Sequence, residues 1–296
     1  MEIQVYWRET GYFDACIDAA MISADGGVLG ALVNGKPVLL DQEGTFLSLP
    51  AAVADASWKA AALAPGGERL ALASANQLLL FDLDTHESRE YAVEEVQQLV
   101  WNPTGQSLGI GYKISALGFW DGEREQLEQR DLSLRRHRGW QVAFAGNSPQ
   151  LFGVSSFRYP QPNLLCCFSS TGELLRYNLP TERYVTGIAP RGDGVVVALS
   201  DHAGHYELLA VSGELRPVKQ QGYRADVTAM AALPTQSWMA VGTVEGEVWL
   251  LDADTLNIVS RRMLWLAAPI RTLAACAEGY IVAGASDGKL ALVELL

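Results

Sequence analysis

No stretch of this 296-residue sequence offers the roughly 18 uninterrupted apolar residues that a membrane-spanning helix needs, so none is expected. The first residues, MEIQVYWRET, hold neither a basic segment nor a long apolar core, which predicts no secretory signal. Cysteine is scarce: Cys16, Cys166, Cys167 and Cys276 form no CxxC pair, and nothing in their spacing suggests a disulfide framework. A reduced, cytoplasmic setting follows as the expectation. Positive charge is also short. Lys and Arg number 22 against 34 Asp and Glu, giving a net charge of -12 and a pI near 4.8. That balance argues against general affinity for nucleic acid, because binding phosphate needs a basic surface. Long helical patterns are missing as well, which excludes a helical bundle.

What the chain does have is apolar content: 49% hydrophobic residues against 19% charged, enough to bury a core. Short apolar runs alternate with Gly, Asp, Asn and Pro, the pattern of an all-β chain of hairpins. The pattern repeats. Trp58 opens WKAAALAPGGERLALASANQLLLFDLDT, Val96 opens VQQLVWNPTGQSLGIGYKISALGFWDGE, and Val227 opens VTAMAALPTQSWMAVGTVEGEVWLLDADT. Each unit reads as a strand, a Pro- or Gly-containing turn, two further strands and an Asp-rich turn. Repeat starts fall near Asp18, Trp58, Val96, Trp140, Val185, Val227 and Ile270, spaced by 40, 38, 44, 45, 42 and 43 residues. The 27 residues from the last start and the 17 before the first together make one more repeat. Residues 1–17 are therefore expected to complete the last unit and hide the sheet edges of an open array.

This organisation resembles the WD-repeat β-propeller family over essentially the whole chain. The resemblance rests on VWNPTGQSLGIGY with Trp120-Asp121 as the one literal WD dipeptide, and on LLLFDLDT, VWLLDADT and VAGASDGKLALVE. The chain departs from the family in lacking the Gly-His dipeptide at all seven starts; Gly204-His205 falls in another turn. The implied architecture is one seven-bladed propeller over residues 1–296, without the family's buried Asp–His–Ser/Thr network and held by Leu, Val, Phe and Trp packing.

Several motifs suggest chemistry and are better read through the repeat. GALVNGKP, from Gly30 to Pro37, matches the start of a phosphate-binding loop. The residue after the lysine is Pro37 rather than Ser or Thr, and a strand follows rather than a helix. Asn34-Gly35 between apolar runs is a hairpin signal. GASDG, from Gly284 to Gly288, fits a nucleophile elbow in letters, but no helix follows, so Ser286 is expected in a turn. His202 and His205 offer two metal ligands where a closed site wants four, so no metal is expected. Cys166 and Cys167 read as core packing, as do Phe81, Trp101, Trp120 and Phe144. No cofactor is expected.

In the family, the first strand of each blade lines the central channel, and the loops between blades share one face with the turns between second and third strands. The opposite face then carries the acidic turns at Asp41, Glu43, Asp82, Asp84, Asp121, Glu123, Glu173, Glu214, Asp252 and Asp254, ordinary turn chemistry that keeps a protein soluble. On the first face, the position just inside each start reads Ala19, Lys59, Gln97, Gln141, Thr186, Thr228 and Arg271, a ring with no carboxylate. Nearby loops add Arg135, Arg136, His137 and Arg138, then Arg183 with Tyr184, then Tyr223 with Arg224, while an enlarged turn carries Phe157, Arg158, Tyr159, Pro160 and Pro162. Tyr, Arg and Trp dominate interface hot spots. The expectation is a non-enzymatic scaffold that binds a protein partner here, through an acidic or phosphorylated segment, near blades three to five. Lys59 and Arg271 join that candidate set. The alternatives are a hydrolase or lactonase at the channel mouth, which would need convergent carboxylates, His or metal, and weak nucleic-acid binding through the basic-aromatic patch.

Overall fold

The structure is a computed structural model describing residues 5–114, 116–132, 139–145, 150–155, 163–168, 173–180, 183–201, 205–233, 237–264 and 268–295, with the backbone alone for 5–12. Among the described residues the strands form seven four-stranded sheets, six of them with strands in sequential antiparallel order. In chain order, sheets one to seven begin at Ile17, Ala60, Val96, Trp140, Tyr184, Val227 and Ile270, each within two residues of a repeat start read from the sequence. Sheet seven takes its fourth strand from the other end of the chain. Val5–Tyr12 pairs antiparallel with Lys289–Leu295, from Val5 opposite Leu295 to Tyr12 opposite Lys289.

The burial pattern explains why the sequence reads as runs rather than as strict alternation. Second and third strands are covered on both faces: every residue of Leu151–Ser155 and of Gly194–Ser200 is buried. Such strands require continuous apolar stretches. The fourth strands Ser88–Ala92 and Gln126–Asp131 are polar and mostly exposed, which suits an outer edge that must not recruit other chains. Sheet one departs from this plan, because its fourth strand is only Phe46–Leu47. The chain then forms a one-turn helix, Ala51–Ala54, that the sequence reading did not anticipate. Val53 from this turn is buried against Trp58, whose indole Nε1–H donates to the Val53 carbonyl at 2.9 Å.

The chain divides into two compact units: residues 1–93 with 228–253 and 257–296, and residues 94–227 with 254–256. In the first unit, sheet six packs on seven, seven on one, and one on two; in the second, sheet three packs on four and four on five. The contact surfaces are apolar. Ile17, Leu29, Val282 and Leu290 share one cluster, and Phe152, Val154, Leu165, Val195 and Val197 another. Each such side chain, once fully buried, contributes roughly 1.5–3 kcal/mol.

Close approach between sheets depends on missing side chains. A Cβ on Gly284 would lie 2.5 Å from the Ile17 side chain, one on Gly242 2.5 Å from Ile270, and one on Gly111 2.2 Å from the Trp140 carbonyl oxygen. In each case a glycine near the end of a second strand receives the first residue of the next sheet.

The motif readings hold. Val28–Val33 and Lys36–Asp41 are joined by Asn34 and Gly35, both at positive φ (48° and 74°), the geometry of a two-residue hairpin turn. Ser286 lies in the turn between Tyr280–Ala285 and Lys289–Leu295. Phe81, Trp101, Trp120 and Phe144 are buried, and Trp101 meets Trp120 edge-on at 5.8 Å. Cys166 and Cys167 are buried too, and burial pushes the Cys167 thiol up to about 11 and the Cys166 thiol further.

Candidate functional site

The starts of the first strands share a local distortion. Pairing with the second strand skips one residue between Ile17 and Ala19, Val96 and Gln98, Val185 and Gly187, and Ile270 and Thr272. Asp18, Gln97, Thr186 and Arg271 are therefore bulge residues. Lys59 holds the same place in sheet two: its amide donates to Ala73 at 2.6 Å, and Ala60 already pairs with Ala73. A bulge redirects a side chain out of the sheet alternation, and Asp18, Lys59, Gln97 and Arg271 are exposed.

This corrects the ring expected from the sequence. Its member in sheet one is Asp18, not Ala19, so the ring does contain a carboxylate. The reason is register: Ile17 is the first paired residue, opposite Val33, and is fully buried. The polar residue after it is the one turned outward. One other member does not follow the bulged pattern. Gln141 pairs directly with Val154 in an unbroken register. The Thr228 hydroxyl donates to the carbonyls of Gly242 (3.1 Å) and Ile270.

Within the second unit, Arg183, Tyr184 and Tyr223 are held by neighbours. The Arg183 guanidinium lies 3.1 Å from the Asp201 carboxylate and 3.9 Å from that of Glu207, and it donates to the His205 carbonyl at 3.2 Å. The Ser200 hydroxyl donates to the Tyr184 phenol oxygen at 3.0 Å. Asp201 also accepts from the His205 amide at 2.9 Å, and its other oxygen lies 2.9 Å from the imidazole Nδ1. The Tyr206 hydroxyl hydrogen-bonds to Asp226, whose pKa is raised chiefly by burial. Burial and the charge of Asp226 raise Tyr206 in turn. The Tyr223 hydroxyl donates to the Leu256 carbonyl, and burial pushes its pKa up to about 12. Arg224 is exposed.

Asp201, Glu207 and Asp226 are acidic groups of this cluster that the sequence analysis did not single out. Asp201 follows the end of the second strand and Glu207 lies in the third, so strand pairing alone brings both beside Arg183.

Arg135, Arg136, His137, Arg138, Phe157, Arg158, Tyr159, Pro160, Pro162 and His202 lie outside the described residues. The acidic turns do ordinary turn work. One carboxylate oxygen of Asp41 accepts from the amides of Glu43 and Thr45 at 2.9 and 2.8 Å. Asp82 does the same for Asp84 and Thr85 at 3.1 and 2.7 Å, and Asp121 for Glu123 at 2.9 Å.

No protein-family model and no curated protein matches the chain. Solved structures do. The crystal structure of RRP9 WD40 repeats superposes with a TM-score of 0.80 over 100% of both chains at 13% identity. The fold is that of a seven-bladed WD40-repeat β-propeller. The structure of U3-55K is similar as well, with a TM-score of 0.76 over 97% of this chain and 98% of that one, again at 13% identity. The seven sheets are the blades of this propeller. At such low identity the likeness carries the backbone and none of the surface chemistry.

Ser155 and Thr243 are buried at the ends of second strands. Here Ser155 accepts from the Leu164 amide at 2.9 Å, and Thr243 from the Glu247 amide at 3.1 Å. Each serves the turn of its own blade.

Proposed function

We propose that this chain is a non-enzymatic interaction scaffold, a single propeller over residues 1–296 that captures a protein partner in the cytoplasm. The observation that carries this reading is the whole-length likeness to WD40-repeat structures at a TM-score of 0.80. That superfold presents loops on a rigid frame, and function resides in the surface. The antiparallel pairing of Val5–Tyr12 with Lys289–Leu295 supports a ring closed by the N-terminal strand.

The docking set is Arg135, Arg136, His137, Arg138, Phe157, Arg158 and Tyr159, extended by Arg183, Tyr184, Tyr223, Arg224, Lys59 and Arg271. The bound segment is acidic or phosphorylated, because guanidinium groups grip carboxylate and phosphate in a bidentate manner. Within the set, the cations free to do this are the exposed ones such as Arg224, Lys59 and Arg271. Arg183 is occupied by Asp201 and Glu207 and shapes the site from behind.

The test is charge reversal at Arg135, Arg136 and Arg138 together, followed by Arg224→Glu. Loss of partner capture at an unchanged melting temperature supports the reading; unchanged capture overturns it.

A further inference from the structure

Among the described residues, six large hydrophobic side chains are exposed: Phe46, Leu47, Val218, Val244, Val259 and Met263. Five of the six fall on two outer edges of the first unit. At the edge of blade one, Phe46 is 67% exposed and Leu47 38%. The Phe13 ring stands edge-on to Phe46 at 6.5 Å. Among the described residues, the exposed charges flanking these side chains in sequence are negative. Glu43 and Asp14 are exposed, and Asp41 begins the turn that delivers Phe46. The nearest lysine on that hairpin, Lys36, is at the far end of its strand and donates to the Asp55 carbonyl.

The edge of blade six has the opposite character. Its fourth strand, Ile258–Met263, exposes Val259 (45%) and Met263 (42%), and Val244 is 40% exposed in the turn whose Gly246 carbonyl receives the Leu264 amide. Between the two apolar residues of the strand stand Arg261 and Arg262, both exposed, with no acidic residue in the strand. The Arg261 guanidinium lies over the Trp249 ring at 4.8 Å, a stacking that fixes its position at modest cost. Of the acids nearby, Glu247 accepts from the Trp249 indole at 2.7 Å, and Glu245 is exposed beside Val244. The other described fourth strands are mixed in charge or carry a single cation, as in SREYA, QLEQRD, LLRYN and PVKQQGY.

We infer that these two edges are the two halves of one contact between copies of this chain. Phe46 and Leu47 of one copy meet Val259 and Met263 of the next, while Glu43 and Asp14 of the first face Arg261 and Arg262 of the second. Apolar anchors ringed by complementary charge are what a docking surface needs. Both partners are outermost strands of their sheets, whose outward backbone groups are available for strand addition. One copy cannot satisfy both halves itself, since blade seven packs between blades six and one. The contact is head-to-tail, so it propagates into open chains or closes into a ring. Each edge is small beside a standard interface of about 800 Å² per partner, so the association is weak.

The experiment is analytical ultracentrifugation of the full chain up to about 100 μM, a range that populates weak contacts. The variants are Phe46→Asp and Arg261→Glu, with Glu43→Lys and Arg262→Glu as second choices if either first variant loses its native circular dichroism. Val218→Asp is the control on another outer strand. The expected result is concentration-dependent growth for the wild type and the control, and monomer for each edge variant alone. An equimolar mixture of one variant from each edge should form a 1:1 dimer that grows no further, because each copy retains the half that the other lacks. A wild type that stays monomeric overturns the inference, as do single variants that still associate or a mixture that stays monomeric.

Discussion

The Thr272 hydroxyl accepts the backbone amide of Ala20 at 2.9 Å, joining blade seven to blade one. In the second unit, Gln98 of blade three does the same for the Val142 amide of blade four, also at 2.9 Å. Each acceptor sits two residues after the strand start. Removing the acceptor leaves a half-buried amide unpaired, at about 1–3 kcal/mol. Thr272→Val and Gln98→Leu should each lower the melting temperature by several degrees, at about 2–4 °C per kcal/mol for a chain of this size, measured by calorimetry. Partner capture by the folded fraction should be unchanged.

The glycine contacts give a sharper outcome. A side chain at Gly284 would drive into Ile17, whose Cγ2 would lie 2.5 Å from the new Cβ. Ile17 is fully buried among Leu29, Val282 and Leu290, so it has nowhere to move. Gly284→Val should cost upward of about 3 kcal/mol, read as a fall in the urea midpoint. Gly192→Ala, where nothing lies within 4 Å of the added carbon, should cost about 1 kcal/mol at its positive φ of 52°.

Those contacts also show how far the sequence was legible. Blade number and boundaries came from hydrophobic runs and turn residues, because strands covered on both faces must be apolar throughout and turns demand Gly, Asn or Asp. The glycines at 111, 242 and 284 stood in the repeats, but what each makes room for becomes visible only when blades are stacked. The bulge is similar. Strand starts were placed within two residues, yet a single-residue offset exchanged Asp18 for Ala19 and hid a carboxylate. The Arg183 cluster was illegible for a different reason: Asp201 and Glu207 come from other strands, and one sequence carries no signal of which charges meet across a sheet.

Acid should loosen the turns in a predictable direction. Amides of Thr45 and Thr85 hold the carboxyls of Asp41 and Asp82 below the usual carboxylate range, against a smaller opposing effect of burial. A group whose folded pKa is depressed stabilises fully above its unfolded value, near 3.9, and loses that contribution as pH falls through the folded value. Asp41→Asn and Asp82→Asn should therefore reduce the difference in melting temperature between pH 7 and pH 3. A difference as large as in the wild type would show that other carboxylates govern the acid limb.

Cysteine reactivity offers an independent check on burial. The thiolate is the reactive form, and burial pushes Cys166, Cys167 and Cys276 upward, Cys167 to about 11. Cys16 is half-exposed. Iodoacetamide at pH 8 should label Cys16 first in the native protein and the other three only after urea is added, as read by intact-mass and peptide mass spectrometry.

Arg183 and Arg224 were alike in the sequence, each an arginine beside a tyrosine, and the structure separates them. The Glu207 side chain is 11% exposed, and one of its carboxylate oxygens is buried without a hydrogen-bond partner. Arg183 is the cation that offsets this charge. Removing it leaves the Glu207 charge uncompensated, and breaking a buried pair from one side costs about 3–5 kcal/mol, less here because Arg183 remains 24% exposed. Arg183→Ala should lower the melting temperature, and adding Glu207→Gln should recover part of the loss. Arg224→Ala should leave stability within about 0.5 kcal/mol and, if the docking reading holds, weaken capture alone. Equal melting temperatures for the two alanine variants would mean that the Arg183 pairing contributes nothing to the fold, and would return Arg183 to the set of cations available to a partner.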